Sequence, residues 1–244
     1  MTDKPLLGRI TLVTGATRGI GYYAALALAD AGSQVVAVGR TQGALEELDD
    51  TITSKGGQCT LVPMDLKNFE GIDQLGSIIN ERWGRLDGLF GNAGILGHLM
   101  PSNQIEPKTF EDVFAINMTA NYRLIRSLDP LLRMSEAGRA VFMTSSVALG
   151  GRAFWGAYAA SKSALETFVY SYAEEVNVTQ IRVNLLNPGG TATSMRAKAI
   201  PGENPDTLPQ PEALAPLIVD MLSPGYQENG GRVNFRDTPY FTQR

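Results

Sequence analysis

Residues 9–21 read RITLVTGATRGIG. The first six are largely apolar on both faces, as in a buried parallel strand, and the glycines after them lead straight into a stretch of helical period. In that stretch Ile20, Ala24, Ala27, Leu28 and Ala31 fall on one face. A strand, a glycine turn and a helix in this order set helix-end N–H groups and a positive dipole end beside a space that only glycine leaves open to a pyrophosphate. The spacing is Gly-x-x-x-Gly-x-Gly, at Gly15, Gly19 and Gly21, and its place after the first strand separates it from an ordinary tight turn.

Outward from this turn the same alternation repeats. Apolar, β-branched runs recur at 33–38, 58–63, 86–90, 139–144 and 181–186, with a last strand near 232–235. Helical period fills 41–55, 68–83, 108–133, 157–177 and 212–222, with Thr41 as an N-cap and Gly56-Gly57 as a stop for the first of these. Alternating strands and helices build right-handed βαβ units. The expected fold is therefore α/β and Rossmann-like: a doubly wound, seven-stranded, mostly parallel sheet with helices on both faces, one domain over residues 1–244. The least regular part, Gly189 to Pro211, carries three glycines and four prolines. Residues 190–211 are expected to form a substrate lid, with Met195 and Ile200 laid over the substrate and Arg196 and Lys198 available to an acidic group.

Composition fits one globular domain with a sizeable core: 244 residues, 43% hydrophobic and 19% charged. The net charge is only −4 and the 21 basic residues are scattered, so neither a nucleic-acid nor an anionic-membrane surface is expected. No stretch approaches the roughly 18 apolar residues of a membrane span, and the start, MTDKPLLGRI, lacks a signal-peptide core, which points to the cytoplasm. Cys59 has no partner for a disulfide and reads as a packing residue inside a strand. His98 has no second histidine or nearby cysteine, so no metal site is expected.

Tyr158-Ala159-Ala160-Ser161-Lys162 places a phenol and an ammonium on one face of a helix. Ser145 and Ser146 lie thirteen and twelve residues earlier, just past a strand that ends at Thr144, on the edge where open α/β sheets hold ligands. An adjacent ammonium favours a phenolate and would lower the tyrosine pKa, so Tyr158 could exchange a proton with a carbonyl or alcohol oxygen while a serine hydroxyl bonds the same oxygen. Asn117, on the helix after Pro107, either anchors a water behind Lys162 or is a solvated helix residue, and spacing alone leaves both open.

On these motifs the chain resembles the short-chain dehydrogenase/reductase family over nearly its whole length. The resemblance makes Gly15, Thr17, Arg18, Gly19, Ile20 and Gly21, preceded by Thr14, the cofactor turn, and Asn92-Ala93-Gly94 the family's Asn-Ala-Gly element. It assigns catalysis to Ser145, Tyr158 and Lys162 with Asn117, preferring Ser145 to Ser146 because the family's serine usually stands thirteen residues before the tyrosine. Pro188-Gly189 followed by Thr193 would hold the nicotinamide carboxamide, Thr191, Tyr158 and Lys162 would also bind the cofactor, Lys162 at the nicotinamide ribose, and Asp65 would lie beside the adenine. One departure is Gly91, where the family usually has a second asparagine. The stretches GGRAFWGAY and NPGGTATSM are similar to a bacterial oxidoreductase subgroup of unassigned substrate.

At the end of the second strand an acidic residue would bind a ribose 2′-hydroxyl, but Gly39 and Arg40 stand there. Arg18 can approach from the other side, so two guanidinium groups could clamp a 2′-phosphate, which implies NADP(H). The implied activity is hydride transfer between NADP(H) and a small-molecule carbonyl or alcohol. A redox sensor without turnover is the alternative, and the Ser145, Tyr158 and Lys162 set argues against it. His98, Met100, Phe154 and Trp155 are candidates for the pocket wall. A homodimer or homotetramer is expected, because helices 108–133 and 157–177 match the family's dimer faces and one helix cannot turn Phe168, Tyr170 and Tyr172 all inward.

Overall fold

Seven strands and eight α-helices alternate along residues 4–242, the part of the chain that the structure, a computed structural model, describes. In chain order they are β1 (Ile10–Thr14), α1 (Gly19–Asp30), β2 (Gln34–Gly39), α2 (Gln42–Ser54), β3 (Gln58–Pro63), α3 (Phe69–Trp83), β4 (Gly88–Gly91) and α4 (Pro107–Phe114). There follow α5 (Ala120–Arg133), β5 (Arg139–Met143), α6 (Gly156–Glu175), β6 (Arg182–Asn187), α7 (Ser194–Ala199), α8 (Ala215–Met221) and β7 (Arg232–Asn234). The sheet order is β3-β2-β1-β4-β5-β6-β7, and all six pairings are parallel rather than mostly so. Winding reverses between β1 and β4, which opens a crevice at their carboxyl ends.

The apolar runs lack alternation because both sheet faces are covered. Leu12, Val36, Val38, Phe142 and Leu185 point into a core with α3, α5 and α6. Their strand neighbours Val13, Val35, Ala37, Val141 and Leu186 point into a second core with α1, α2 and α8. Among the described residues no helix is long and apolar enough to cross a membrane.

Several local expectations change. Helix α1 buries Gly21, Ala24, Ala25, Leu28 and Ala29, so Ala25 and Ala29 replace Ala27 and Ala31. Its alanines surround the axis, and packing against α2 and α8 rather than periodicity sets its rotation. The expected helix 108–133 is interrupted by a π-turn, Ala115–Thr119. Thr41 stands at the N-cap of α2 without making a side-chain cap bond. Cys59 is half-buried, because β3 is an edge strand, and burial pushes its thiol up to about 12. Within 190–211 lies a helix too short to show a period, α7, capped by the Thr193 hydroxyl, which accepts the Arg196 N–H at 3.2 Å.

Candidate active site

The two turns that flank the crevice are laced together by Thr14 at the end of β1. Its hydroxyl oxygen accepts the backbone N–H groups of Asn92 and Ala93, each at 3.0 Å, while Asn92 Nδ2 donates to the Thr14 carbonyl at 2.9 Å. This close approach leaves no room for side chains on the glycine turn. A Cβ on Gly21 would lie 2.2 Å from the Gly15 carbonyl oxygen, and one on Gly15, at φ +66°, would lie 3.1 Å from Ala93 Cα. The N-cap of α1 is Arg18, which makes no side-chain cap bond, so the first-turn N–H groups are left to an external acceptor. Ile20 instead packs beneath the turn against the core.

The same turn abuts the end of β2. The Ala16 N–H donates to the Val38 carbonyl at 3.2 Å, and a Cβ on Gly39 would fall 2.5 Å from the Thr17 methyl. Arg18 and Arg40 follow these two positions, both exposed, and among the described residues neither is in an ion pair. Past β3, the Asp65 carboxylate accepts the Lys67 N–H at 2.9 Å.

On the far side of the crevice, α6 delivers Tyr158 and Lys162 to the end of β5. Lys162 is 2% exposed, and its ammonium donates to the Met143 carbonyl at 2.8 Å, 5.9 Å from the centre of the Tyr158 ring. Tyr158 is 7% exposed, and burial pushes its phenol up to about 12, with a hydrogen bond to Ser145 pulling the other way. The expected lowering of the phenol by Lys162 is therefore not found: the ammonium is turned to a backbone carbonyl, and desolvation dominates. Burial brings Lys162 itself down to about 8, opposed by the charge of Glu166. Ser145 is half-buried against the phenol, whereas Ser146 is exposed and opens a 3₁₀ turn leading away.

Asn117 sits in the π-turn, fully buried. Its Oδ1 accepts the Ile95 N–H at 2.9 Å, and its Nδ2 donates to the Ile95 carbonyl at 3.0 Å and to Ser161 Oγ at 2.9 Å. It is thus not a solvated residue. Its amide donors tie the segment after Asn92-Ala93-Gly94 to α6, and a Cβ on Gly94 would stand 3.2 Å from Asn117 Oδ1 and 3.6 Å from Lys162 Nζ. After β6, Gly189 adopts φ +66°, its N–H donating to Asn187 Oδ1 at 3.2 Å, and the Thr191 hydroxyl donates to the Pro188 carbonyl at 3.2 Å. The Thr193 methyl lies 3.6 Å from where a Gly19 Cβ would be, which brings this segment against the glycine turn.

An apolar wall surrounds the phenol. Val147, Trp155, Tyr158 and Ala159 form a buried cluster on which Leu96, Leu99, Met195 and Ala199 pack. Of the two residues expected over the substrate, Met195 packs on this wall, and Ala199 rather than Ile200 packs beside it. Arg196 does not await an acidic ligand: it holds Glu203 in a two-pronged ion pair at 2.6 and 2.7 Å. His98 and Phe154 are exposed, and Phe154 has the only positive φ, 74°, among described residues other than glycine. Sequence reasoning missed Glu166 and Arg232. Glu166 carries a weak signal, four residues past Lys162 on the same helix, but Arg232 reaches the site from another strand with no local pattern.

A profile of the short chain dehydrogenase family matches residues 9–204. The uncharacterized oxidoreductase YciK of Escherichia coli is 41% identical over 217 residues, 88% of this chain and 86% of its own. A Shigella flexneri structure described as a short chain dehydrogenase complexed with NADP aligns with a TM-score of 0.91 at 39% identity, covering 96% of this chain and 99% of its own. One from Escherichia coli complexed with NADPH aligns at 0.89 and 38% identity, covering the same 96% and 99%.

Proposed function

The chain belongs to the short chain dehydrogenase family, and on that footing we propose that it is an NADP(H)-dependent oxidoreductase acting on a carbonyl or alcohol, with Ser145, Tyr158, Lys162 and Asn117 as its catalytic set. The observation that carries this reading is a buried phenol beside Ser145, one helical turn from Lys162, at the mouth of a crevice whose other side is a turn where Gly15 and Gly21 leave no room for side chains. The residues present fit the cofactor. Gly15, Thr17, Arg18, Gly19, Ile20 and Gly21 would hold its phosphates, Arg18 and Arg40 its 2′-phosphate, and Asp65 would lie at the adenine. Asn92, Ala93, Gly94, Pro188, Gly189, Thr191 and Thr193, with Tyr158 and Lys162, would surround the nicotinamide. Two similar structures carry NADP or NADPH, which supports the phosphorylated form.

When bound, NADPH supplies the hydride. Tyr158 then gives its phenolic proton to the oxygen on which charge develops, and burial suits it to that role by keeping the proton on until the reaction demands it. Ser145 bonds the same oxygen, and Lys162 supplies the positive charge that stabilises the phenolate left behind. The wall of Val147, Trp155 and Met195 supports a substrate with an apolar body. Residues 190–211 act as its lid. Copies of the chain pair through α4, α5 and α6, where Phe110, Tyr122 and Tyr170 are 42%, 39% and 37% exposed. The test is NADPH oxidation across aldehydes, ketones, quinones and β-keto thioesters: at least one apolar carbonyl should be reduced, and the absence of turnover across the whole panel would overturn the reading.

A further inference from the structure

One largely buried ion pair beside the crevice joins elements far apart in the chain. Glu166 lies on α6 one turn beyond Lys162, and Arg232 opens β7; Arg232 Nε donates to Glu166 Oε1 at 2.8 Å. The same carboxylate oxygen accepts the Thr144 hydroxyl at 2.6 Å. The other guanidinium nitrogens are also committed: Nη1 donates to Asn234 Oδ1 at 2.6 Å and Nη2 to the Ser145 carbonyl at 3.1 Å. Asn234 Oδ1 further accepts Asn187 Nδ2 at 3.0 Å, and Asn187 Oδ1 accepts the Gly189 N–H. A single guanidinium thus ties together the backbone of Ser145, the helix of Tyr158 and Lys162, and the turn after β6.

Stability alone explains this poorly, since desolvating two charges offsets most of their attraction. What the pair does have is position. Lys162 is faced by Tyr158 and Glu166 on its own helix and by the Met143 carbonyl from β5, with Asn117 of the π-turn across Gly94 from it; Glu166 is the carboxylate whose charge acts on it, and Arg232 lies behind Glu166. We propose that Arg232 and Glu166 are positioning residues, the guanidinium fixing the Ser145 backbone against the phenol and the carboxylate holding Lys162 as an ammonium. The proposal rests on reading Ser145, Tyr158 and Lys162 as the proton-transfer set.

The test combines turnover with a readout that needs none. In protein carrying isotope-labelled lysine side chains, the Lys162 resonance, assigned by its loss in Lys162→Met, should titrate about half to one pH unit lower in Glu166→Gln than in the wild type. The alkaline limb of kcat/KM should move with it. Arg232→Lys keeps the charge but cannot reach Glu166, Asn234 and Ser145 together, so it should leave the Lys162 titration in place and lower kcat about tenfold with KM for NADPH unchanged. Should Glu166→Gln fold poorly, Glu166→Gln with Arg232→Met leaves no unpaired ion and should show a smaller downward shift, because the farther positive charge is lost with the nearer negative one. A wild-type Lys162 titration in folded protein lacking Glu166, or wild-type turnover in Arg232→Lys, overturns the proposal. A wild type that reduces no carbonyl would overturn the function instead, and the lysine titration would still decide the coupling.

Discussion

Burial pushes the two titratable members of the site in opposite directions, Tyr158 up to about 12 and Lys162 down to about 8, because in each it disfavours the charged form. For carbonyl reduction the phenol is then protonated at any working pH and the lysine is the group that titrates, so kcat/KM should fall as pH rises through about 8. The stability consequence has its own sign. The folded chain binds fewer protons at Lys162 than the unfolded one between about 8 and the ordinary 10.5, so this group's contribution rises with pH there, whereas Tyr158 adds stability that is lost from 10.0 to about 12. Thermal unfolding of wild type against Lys162→Met over that range checks the first sign. Tyr158→Phe should lower turnover by about two to four orders of magnitude with NADPH affinity nearly intact, and near-normal turnover would remove Tyr158 from the mechanism. Arg40→Ala should weaken NADPH by about 1.5–3 kcal/mol and NADH hardly at all, which calorimetric titration can separate. The converse switch needs two changes: Gly39→Asp alone would drive its Cβ to 2.5 Å from the Thr17 methyl, so a gain in NADH preference is expected only with Thr17→Ser.

At the scale of elements, what the sequence made legible were features with a period or a fixed backbone demand. Strand runs, glycine turns and the four-residue step from Tyr158 to Lys162 are of this kind, and β1, its turn and α1 fall where the motif implies. The π-turn at Ala115–Thr119 was not legible, since apolar spacing runs on through it and its mark is tertiary, the bonds of the Asn117 amide to Ile95 and Ser161. Glycines show the same division. Gly21→Ala should abolish cofactor binding and cost about 1–3 kcal/mol, because its Cβ meets the Gly15 carbonyl at 2.2 Å. Gly43, inside α2 with nothing near its would-be Cβ, is a helix position without such a duty, and Gly43→Ala should stabilise the protein by about 0.4–1 kcal/mol. Denaturant melts of the two variants should move in opposite directions.

For the whole molecule, the doubly wound sheet puts the proposed cofactor turn, the helix of Tyr158 and Lys162 and residues 190–211 at one end, so the proposed function depends on how that end closes. The Ala192 N–H donates to the Pro209 carbonyl at 2.9 Å, which draws the two ends of the proposed lid together, and the Arg196–Glu203 pair clips α7 to the turn after it. Met195 and Ala199 then rest on the cluster of Val147, Trp155, Tyr158 and Ala159, where a substrate carbonyl would have to enter. A segment made this way can swing as a unit. Its own hydrogen bonds travel with it, and only apolar contacts with the wall are exchanged for contacts with substrate. Water exclusion would give the proposed motion its purpose, because a developing alkoxide would be better stabilised by Ser145 and Tyr158 in a dry site. Amides of 194–208 should therefore exchange quickly in the free protein and slow when NADPH and an unreactive substrate analogue are both present. NADPH alone should protect mainly the turns at 15–21 and 188–193. Protection of 194–208 that does not change on forming the ternary complex would show a fixed wall rather than a lid.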